Sequence, residues 1–201
     1  MKYILAFLLT AGVHLSCKSP ASTIANADAK SDSLTKTIRL VIEAFHDKDA
    51  ATLNQRIHKD YGLAVIFREG VFDQYQITEN VNFDRPVPQH WPYPDFTPNY
   101  DLRYEALPKF DCGTEKWSKR GLYLDKSTRD NILSKTAMNL NRYVGAEIPQ
   151  ETIDKFKAIE RKSHRVVLVD KEGKSLIFYL SLIDNRWYLT ILDRVTGDCS
   201  A

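Results

Sequence analysis

The sequence predicts an α+β fold in which an antiparallel sheet packs against N-terminal and mid-chain helices. Three observations predict it. Apolar residues first recur at helical spacing, from Leu34 to Phe45. The period then shortens toward two beyond Gly62. The last forty or so residues read as about three strands joined by tight turns. Of the 201 residues, 43% are hydrophobic and 27% charged, which is ordinary globular usage and excludes wholesale disorder. Lys and Arg total 28 against 26 Asp and Glu, a net charge of +2, so no basic face for a nucleic acid is expected. The length fits one domain, or at most two small ones.

Leu34, Ile38, Val41, Ile42 and Phe45 lie on one helical face, with Asp32 or Ser33 as the expected N-cap. Asp49 is placed to cap a second short helix whose inner side carries Ala50, Leu53 and Ile57. Strands are expected over Leu63–Phe67 and Val71–Ile77, with Arg68-Glu69-Gly70 between them as a hairpin turn. Five of the eight prolines then fall at 86, 88, 92, 94 and 98, interleaved with His90, Trp91, Tyr93, Phe96 and Tyr100. Proline lacks an N–H and fixes φ, so this stretch is a stiff extended loop. Short strands are expected over Leu102–Phe110 and Gly121–Asp125.

Ser127-Thr128-Arg129-Asp130 reads as a capping box for a helix carrying Ile132, Leu133, Thr136, Ala137, Leu140, Tyr143 and Val144 and ending at Gly145. Pro149 opens another helix with Ile153, Phe156 and Ile159 on its inner stripe. Arg165–Asp170, Ser175–Ile183 and Arg186–Val195 form a meander, with Asp184-Asn185 as a two-residue hairpin turn. Leu176, Phe178, Leu180 and Leu182 share one face, and alternation adds Trp187, Leu189 and Ile191 to it. Tyr179, Ser181, Tyr188 and Thr190, with Ile177 and Leu192, make the other face too apolar for open solvent. Either both faces are covered, or the second lines a cavity.

The N-terminus carries an address. Lys2 precedes the apolar run Tyr3–Val13, which is too short to span a bilayer as a helix and reads as a secretory signal. The run ends in Val13-His14-Leu15-Ser16-Cys17. This resembles the lipobox of bacterial envelope lipoproteins, in which the chain is cut before the cysteine and the cysteine is acylated. Ser16 fits the small residue before the cut, and His14 departs from the usual Leu. The alternative is an ordinary secretory signal cut later, for example after Ala25. The expected organisation is a signal peptide over 1–16, a lipidated Cys17 with a flexible polar tether over 17–32, and one globular domain over 33–201. The implied location is the bacterial cell envelope, lipid-anchored in the outer membrane facing the periplasm, or otherwise secreted.

If Cys17 is lipidated or removed, Cys112 and Cys199 remain. An even pair in an oxidising compartment reads as a disulfide, with two free thiols as the alternative. No cysteine or histidine spacing suits a metal, and no cofactor fingerprint is present, so neither a metal nor a cofactor is expected.

Two N-terminal helices, short strands, a further helix and a long meander resemble the nuclear-transport-factor-2-like fold, a curved sheet wrapped into a cone against helices. The segment Ile57-His58-Lys59-Asp60-Tyr61-Gly62-Leu63-Ala64-Val65-Ile66-Phe67 is similar to a helix-end, His, turn, Gly, strand pattern in bacterial lipoproteins and secreted proteins with this fold. Cys112-Gly113 to Leu124, with Trp117 and Gly121, resembles the loop that follows there, and Trp187-Tyr188-Leu189 their terminal strand. The resemblance implies a fold and no common activity. Enzymes of the fold place Asp, His or Tyr inside the cone, which here points to His58, Asp60, Tyr61, Arg68 and Asp73.

Three functions are compatible with the sequence: a non-catalytic envelope lipoprotein that binds a ligand or partner, a small-molecule hydrolase or isomerase using the cone interior, and a structural or assembly subunit. The first is favoured. Its expected contacts are Trp91, Tyr93 and Phe96 on the stiff loop, with Tyr61 and Arg68, and its partner is a glycan, a peptide or a protein. The bland alternative is a loop that buries its aromatics on the domain's own core. Lys116, Lys119 and Arg120 around Trp117 read as a solvated loop.

Overall fold

The computed structural model describes residues 20–127 and 130–199. The signal segment and Cys17 lie outside the described residues. Helix α1 spans Pro20–His46 and α2 spans Ala50–Asn54. The α1 start differs from the expected cap at Asp32 or Ser33, so the segment predicted as a coil is helical from Pro20. Proline costs little at the first helical position, and Ala21, Ala25, Ala27 and Ala29 favour helix. Low apolar surface points to a coil, whereas alanine propensity favours the helix. Asp49 caps α2 as expected, accepting from the Thr52 backbone N–H at 3.0 Å.

One seven-stranded sheet dominates, built from β1 (Leu63–Arg68), β2 (Asp73–Thr78), β3 (Leu102–Arg103), β6 (Gly121–Leu124), β7 (Ser163–Val169), β8 (Ser175–Ile183) and β9 (Arg186–Asp193). Strands β4 (Phe110–Asp111) and β5 (Lys116–Trp117) form a separate two-stranded ribbon. The strand expected over Leu102–Phe110 is thus split between β3 and β4. The order in the main sheet is β2-β1-β9-β8-β7-β6-β3. It is mostly antiparallel, with parallel pairings of β1 to β9 and β3 to β6. The β8–β9 turn is the expected two-residue one, with Asp184 at φ 47° and Asn185 at φ 62°.

Both faces of the sheet carry a packed layer over most of their extent, and the ends of the meander open onto cavities. On one face, Ile38, Val41, Leu53 and the proline-rich loop pack on Val65, Phe178, Leu180 and Leu189. On the other, Leu133 of α3 (Ile132–Asn139) packs on Ala64, Ile66, Tyr179 and Ile191, with Phe156 of α4 (Gln150–Glu160) beside it. A third cluster sets Trp117 and Leu107 on Val167, Val169 and Ile177.

Ile191 is therefore on the face opposite to Leu189, contrary to simple alternation, and Leu192 takes the expected place. The cause is a bulge. Leu180 pairs with Leu189 but Tyr179 pairs with Ile191, which leaves Thr190 as an extra residue in β9. Because side chains alternate with period two, one inserted residue exchanges the faces of everything beyond it. The Thr190 hydroxyl is buried and lies 2.6 Å from the Ser181 hydroxyl, which also bonds that of Ser163; Ser163 in turn donates to the Ile159 carbonyl at 2.8 Å. Hydrogen-bonded partners inside the layer offset the cost of burying three hydroxyls.

The expected capping box is not used at the start of α3. Thr128 and Arg129 lie outside the described residues, and Asp130 is turned to Arg165 at 3.1 Å and to the Tyr179 hydroxyl at 3.3 Å. The acceptor comes instead from α4. Glu160 Oε1 accepts the backbone N–H groups of Leu133 at 2.7 Å and Ser134 at 3.1 Å. This satisfies two of the orphan donors at a helix N-terminus from a residue distant in sequence. The α3 helix then widens into a π-helical turn over Leu140–Val144 and closes at Gly145 with φ 71°, where glycine carries no Cβ penalty.

Burial pushes the Glu160 carboxyl up, and the nearby Asp130 charge adds to this against the bonds from Ser134 and Leu133. A carboxyl raised on folding gives stability that is full below its unfolded value, near 4.5, and is lost as pH rises through the folded value. Urea denaturation against pH should therefore show wild-type stability falling from about pH 4.5 toward neutrality relative to Glu160→Gln, which keeps the acceptor without the charge. Parallel curves for the two proteins would contradict this.

Candidate functional site

The proline-rich loop between β2 and β3 is stitched to the domain. Asn54 Oδ1 accepts from the Val81 N–H at 2.7 Å, and Asp170 Oδ2 from the Thr97 N–H at 3.2 Å. His46 Nδ1 lies 3.0 Å from the Phe96 carbonyl. Phe45, Phe83 and Tyr93 meet edge to face with ring centroids 5.5–6.0 Å apart. Of the three loop aromatics expected at a binding surface, Phe96 is 3% exposed and part of the core. Tyr93 is half-buried, and burial pushes its hydroxyl up. Trp91 alone of the three lines a cleft.

Arg194, just beyond β9, holds that loop. Its guanidinium lies 4.7 Å from the centre of the Trp91 ring and 5.1 Å from that of Tyr93. Nη1 donates to the Val87 carbonyl and Nη2 to the Pro92 carbonyl at 2.6 Å. Burial pulls its pKa down to about 10, which leaves it charged at neutral pH.

Trp117 faces the same cleft from the β4–β5 ribbon, packed edge to face on Phe110 at 5.1 Å. The Cys112–Cys199 disulfide ties the ribbon to the chain end, as the cysteine count predicts. A Cβ added at Gly197 would touch the Trp117 indole at 3.5 Å, so ribbon and chain end lie in contact. The Arg68 guanidinium, paired with Asp73 at 2.7 Å, donates at 3.0 Å to the Asp198 carbonyl and anchors the same segment.

Between these walls lies a cleft of about 450 Å³, within the range of small-molecule sites. Trp91, Pro92, Pro94, Phe110 and Trp117 form its sides, and Ile177 near the start of β8 and Leu192 near the end of β9 line it where the strands end. Its charged lining is Glu115 and Asp193 with Lys174 and Arg194, which sums to zero. Asp193 is committed: its Oδ2 accepts from Arg165 at 2.8 Å and its Oδ1 from the N–H groups of Val195 and Thr196, both at 3.0 Å.

The other expected residues are not gathered here. His58 accepts from the Asp60 N–H at 3.2 Å and packs its ring on Tyr61 and Tyr188, 5.1 and 4.9 Å between centres. It serves the turn after α2 and, with Asp60, Glu79, Arg186 and Tyr188, lines a second cleft of about 740 Å³, walled mostly by polar and charged residues. Asp73 is paired with Arg68 behind the Asp198 segment, and neither side chain lines the cleft. Lys119 pairs with Glu105 at 3.5 Å and lies 4.2 Å from the centre of the Tyr123 ring.

Trp117 and Arg194 are the residues that the sequence reading did not assign to a binding site. A signal for them exists: Trp117 closely follows Cys112 and Arg194 closely precedes Cys199, so the disulfide brings both toward one place. Among the described residues no group of three or more His, Cys, Asp or Glu is arranged for a metal, and no helix is long and apolar enough to cross a membrane. No protein family, curated protein or solved structure matches the chain.

Two outcomes follow from this geometry. The disulfide closes a loop spanning a sequence separation of 87, so Cys112→Ser/Cys199→Ser should lose about 4–5 kcal/mol in urea denaturation; a loss below about 1 kcal/mol would show that the ribbon is held by packing alone. Arg194→Met keeps an apolar stem but loses both carbonyl bonds and the charge. It should lose roughly 1–3 kcal/mol and make Trp91 more accessible to iodide quenching, measured with the other two tryptophans replaced by Phe. Unchanged quenching would mean that Arg194 does not hold the loop.

Proposed function

We propose that this chain is a non-catalytic ligand-binding module of the bacterial cell envelope, anchored through lipid on Cys17, with the Trp91–Trp117 cleft as its binding site. The observation that carries the reading is the cleft itself. Two indoles from remote parts of the chain flank one concavity, one set by a half-buried guanidinium and the other on a disulfide-tied ribbon. Walls fixed in advance lose little entropy when a ligand enters. The Cys112–Cys199 pairing suits an oxidising compartment, and the lipobox-like Leu15-Ser16-Cys17 suits export and acylation. The helix pair ahead of a hairpin, with a meander completing one sheet, supports a nuclear-transport-factor-2-like cone as the architecture.

Catalysis has less support. The Tyr179–Asp130 pair is the nearest thing to an acid–base couple, but both residues are bound up with Arg165 and neither lines the cleft.

In a small-molecule screen read by two-dimensional NMR, ligands should shift the indole N–H peaks of Trp91 and Trp117 and leave that of Trp187 in place. Ligands that moved only Tyr61, His58 and Tyr188 would place the site elsewhere and contradict the reading. For the anchor, radiolabelled palmitate should enter the wild-type chain in a Gram-negative host and be absent from Cys17→Ser; equal labelling of both would contradict it.

A further inference from the structure

We infer that the cleft takes a neutral saccharide, an inference that rests on the cleft being the binding site. The first ground is charge. Two acidic and two basic side chains line it, so it offers no net field to a cationic or anionic ligand. Most of that charge is already answered: Lys174 pairs with Glu172 at 3.1 Å, and Asp193 with Arg165.

The second ground is the kind of hydrogen bonding on offer. Among the described residues Arg194 has two acceptors, the Val87 and Pro92 carbonyls, for its five N–H groups, so donors remain at the cleft wall. Ser175 contributes a hydroxyl that both donates and accepts, and Glu115 contributes an exposed carboxylate. Both donors and acceptors therefore stand among the aromatic walls. A sugar fits this arrangement, because each of its hydroxyls donates and accepts while its C–H faces are apolar enough to rest on an indole.

The third ground is topological. An extended peptide would gain most by adding a strand to a sheet edge. The strands at this cleft, β8 and β9, are interior to the sheet and pair with each other from Ile177 to Ile183, so that only the Ser175–Leu176 end of β8 extends past the last pair. A full added strand has no edge to join there, and side chains supply most of the recognition.

The test is titration of the purified protein with cellotriose and with chitotriose, followed by tryptophan fluorescence and by the indole N–H peaks, with a proline-rich decapeptide as the competing class. At least one trisaccharide should bind saturably at about millimolar concentration or below and shift the Trp91 and Trp117 peaks. Its affinity should change little with added salt, since no ion pair forms. Trp117→Ala should weaken it roughly tenfold or more. Glu115→Gln, at an exposed position outside the core, should weaken it more modestly and guards against a folding defect in the first variant. If the decapeptide shifts the two indoles and neither trisaccharide does, the saccharide inference fails while the cleft stands. If no probe shifts them, the saccharide inference fails, and the NMR screen decides the fate of the cleft.

Discussion

The arrangement of this domain depends on one extra residue in β9. Thr190 has no cross-strand partner in β8, and its hydroxyl is held by that of Ser181 inside a buried layer. Before the bulge, Trp187 and Leu189 face the α1 side; after it, Leu192 does, and Ile191 joins Leu133 and Tyr179 on the α3 side. The exchange carries to the end of the strand. It sends Asp193 to Arg165 and leaves Arg194 on the side where the proline-rich loop lies. Without the bulge, alternation would direct these two charges to the opposite faces, and neither would meet its partners.

Two arginines, each partly buried, then divide the labour. Arg165, Asp193, Asp130 and Thr196 lock the start of the chain's last turn to the meander, and burial pushes the Tyr179 hydroxyl above its ordinary value beside them. Removing one member of such a set leaves a desolvated charge behind, so the set acts through its completeness more than through net attraction. Arg194 works differently. It has carbonyls and ring faces rather than a carboxylate, and it spends its donors on the loop backbone. The loop already lacks donors at its prolines, and its carbonyls at Val87 and Pro92 are the acceptors the guanidinium needs.

Much of the fold is legible in the sequence because it rests on local rules. The α2 cap at Asp49, the Asp184-Asn185 turn, the bounds of β8 and the Cys112–Cys199 pairing follow from residue type and spacing. What escapes is non-local. Nothing around Thr190 marks a bulge, since Thr-Ile-Leu suits a strand at any register. The α3 cap is supplied by Glu160 from the next helix, so the nearby Ser127–Asp130 pattern misleads. The α1 start at Pro20 is the local exception: low apolar content points to a tether, and the alanines favour a helix. For the site, Trp91, Tyr93 and Phe96 share one setting among prolines, and only packing separates Trp91 at the cleft from Phe96 in the core. Trp117 and Arg194 become neighbours of Trp91 only through the disulfide and the bulge together.

The central claim is that the Thr190 bulge delivers Arg194 to the loop and so sets the Trp91 wall of the cleft. A nuclear Overhauser spectrum of the isotopically labelled protein tests it most directly. The account predicts cross-strand contacts from Leu180 to Leu189 and from Tyr179 to Ile191, together with contacts from the Arg194 side chain to the Trp91 and Tyr93 rings. A contact from Tyr179 to Thr190 as a regular pair, with Arg194 free of both rings, would contradict it.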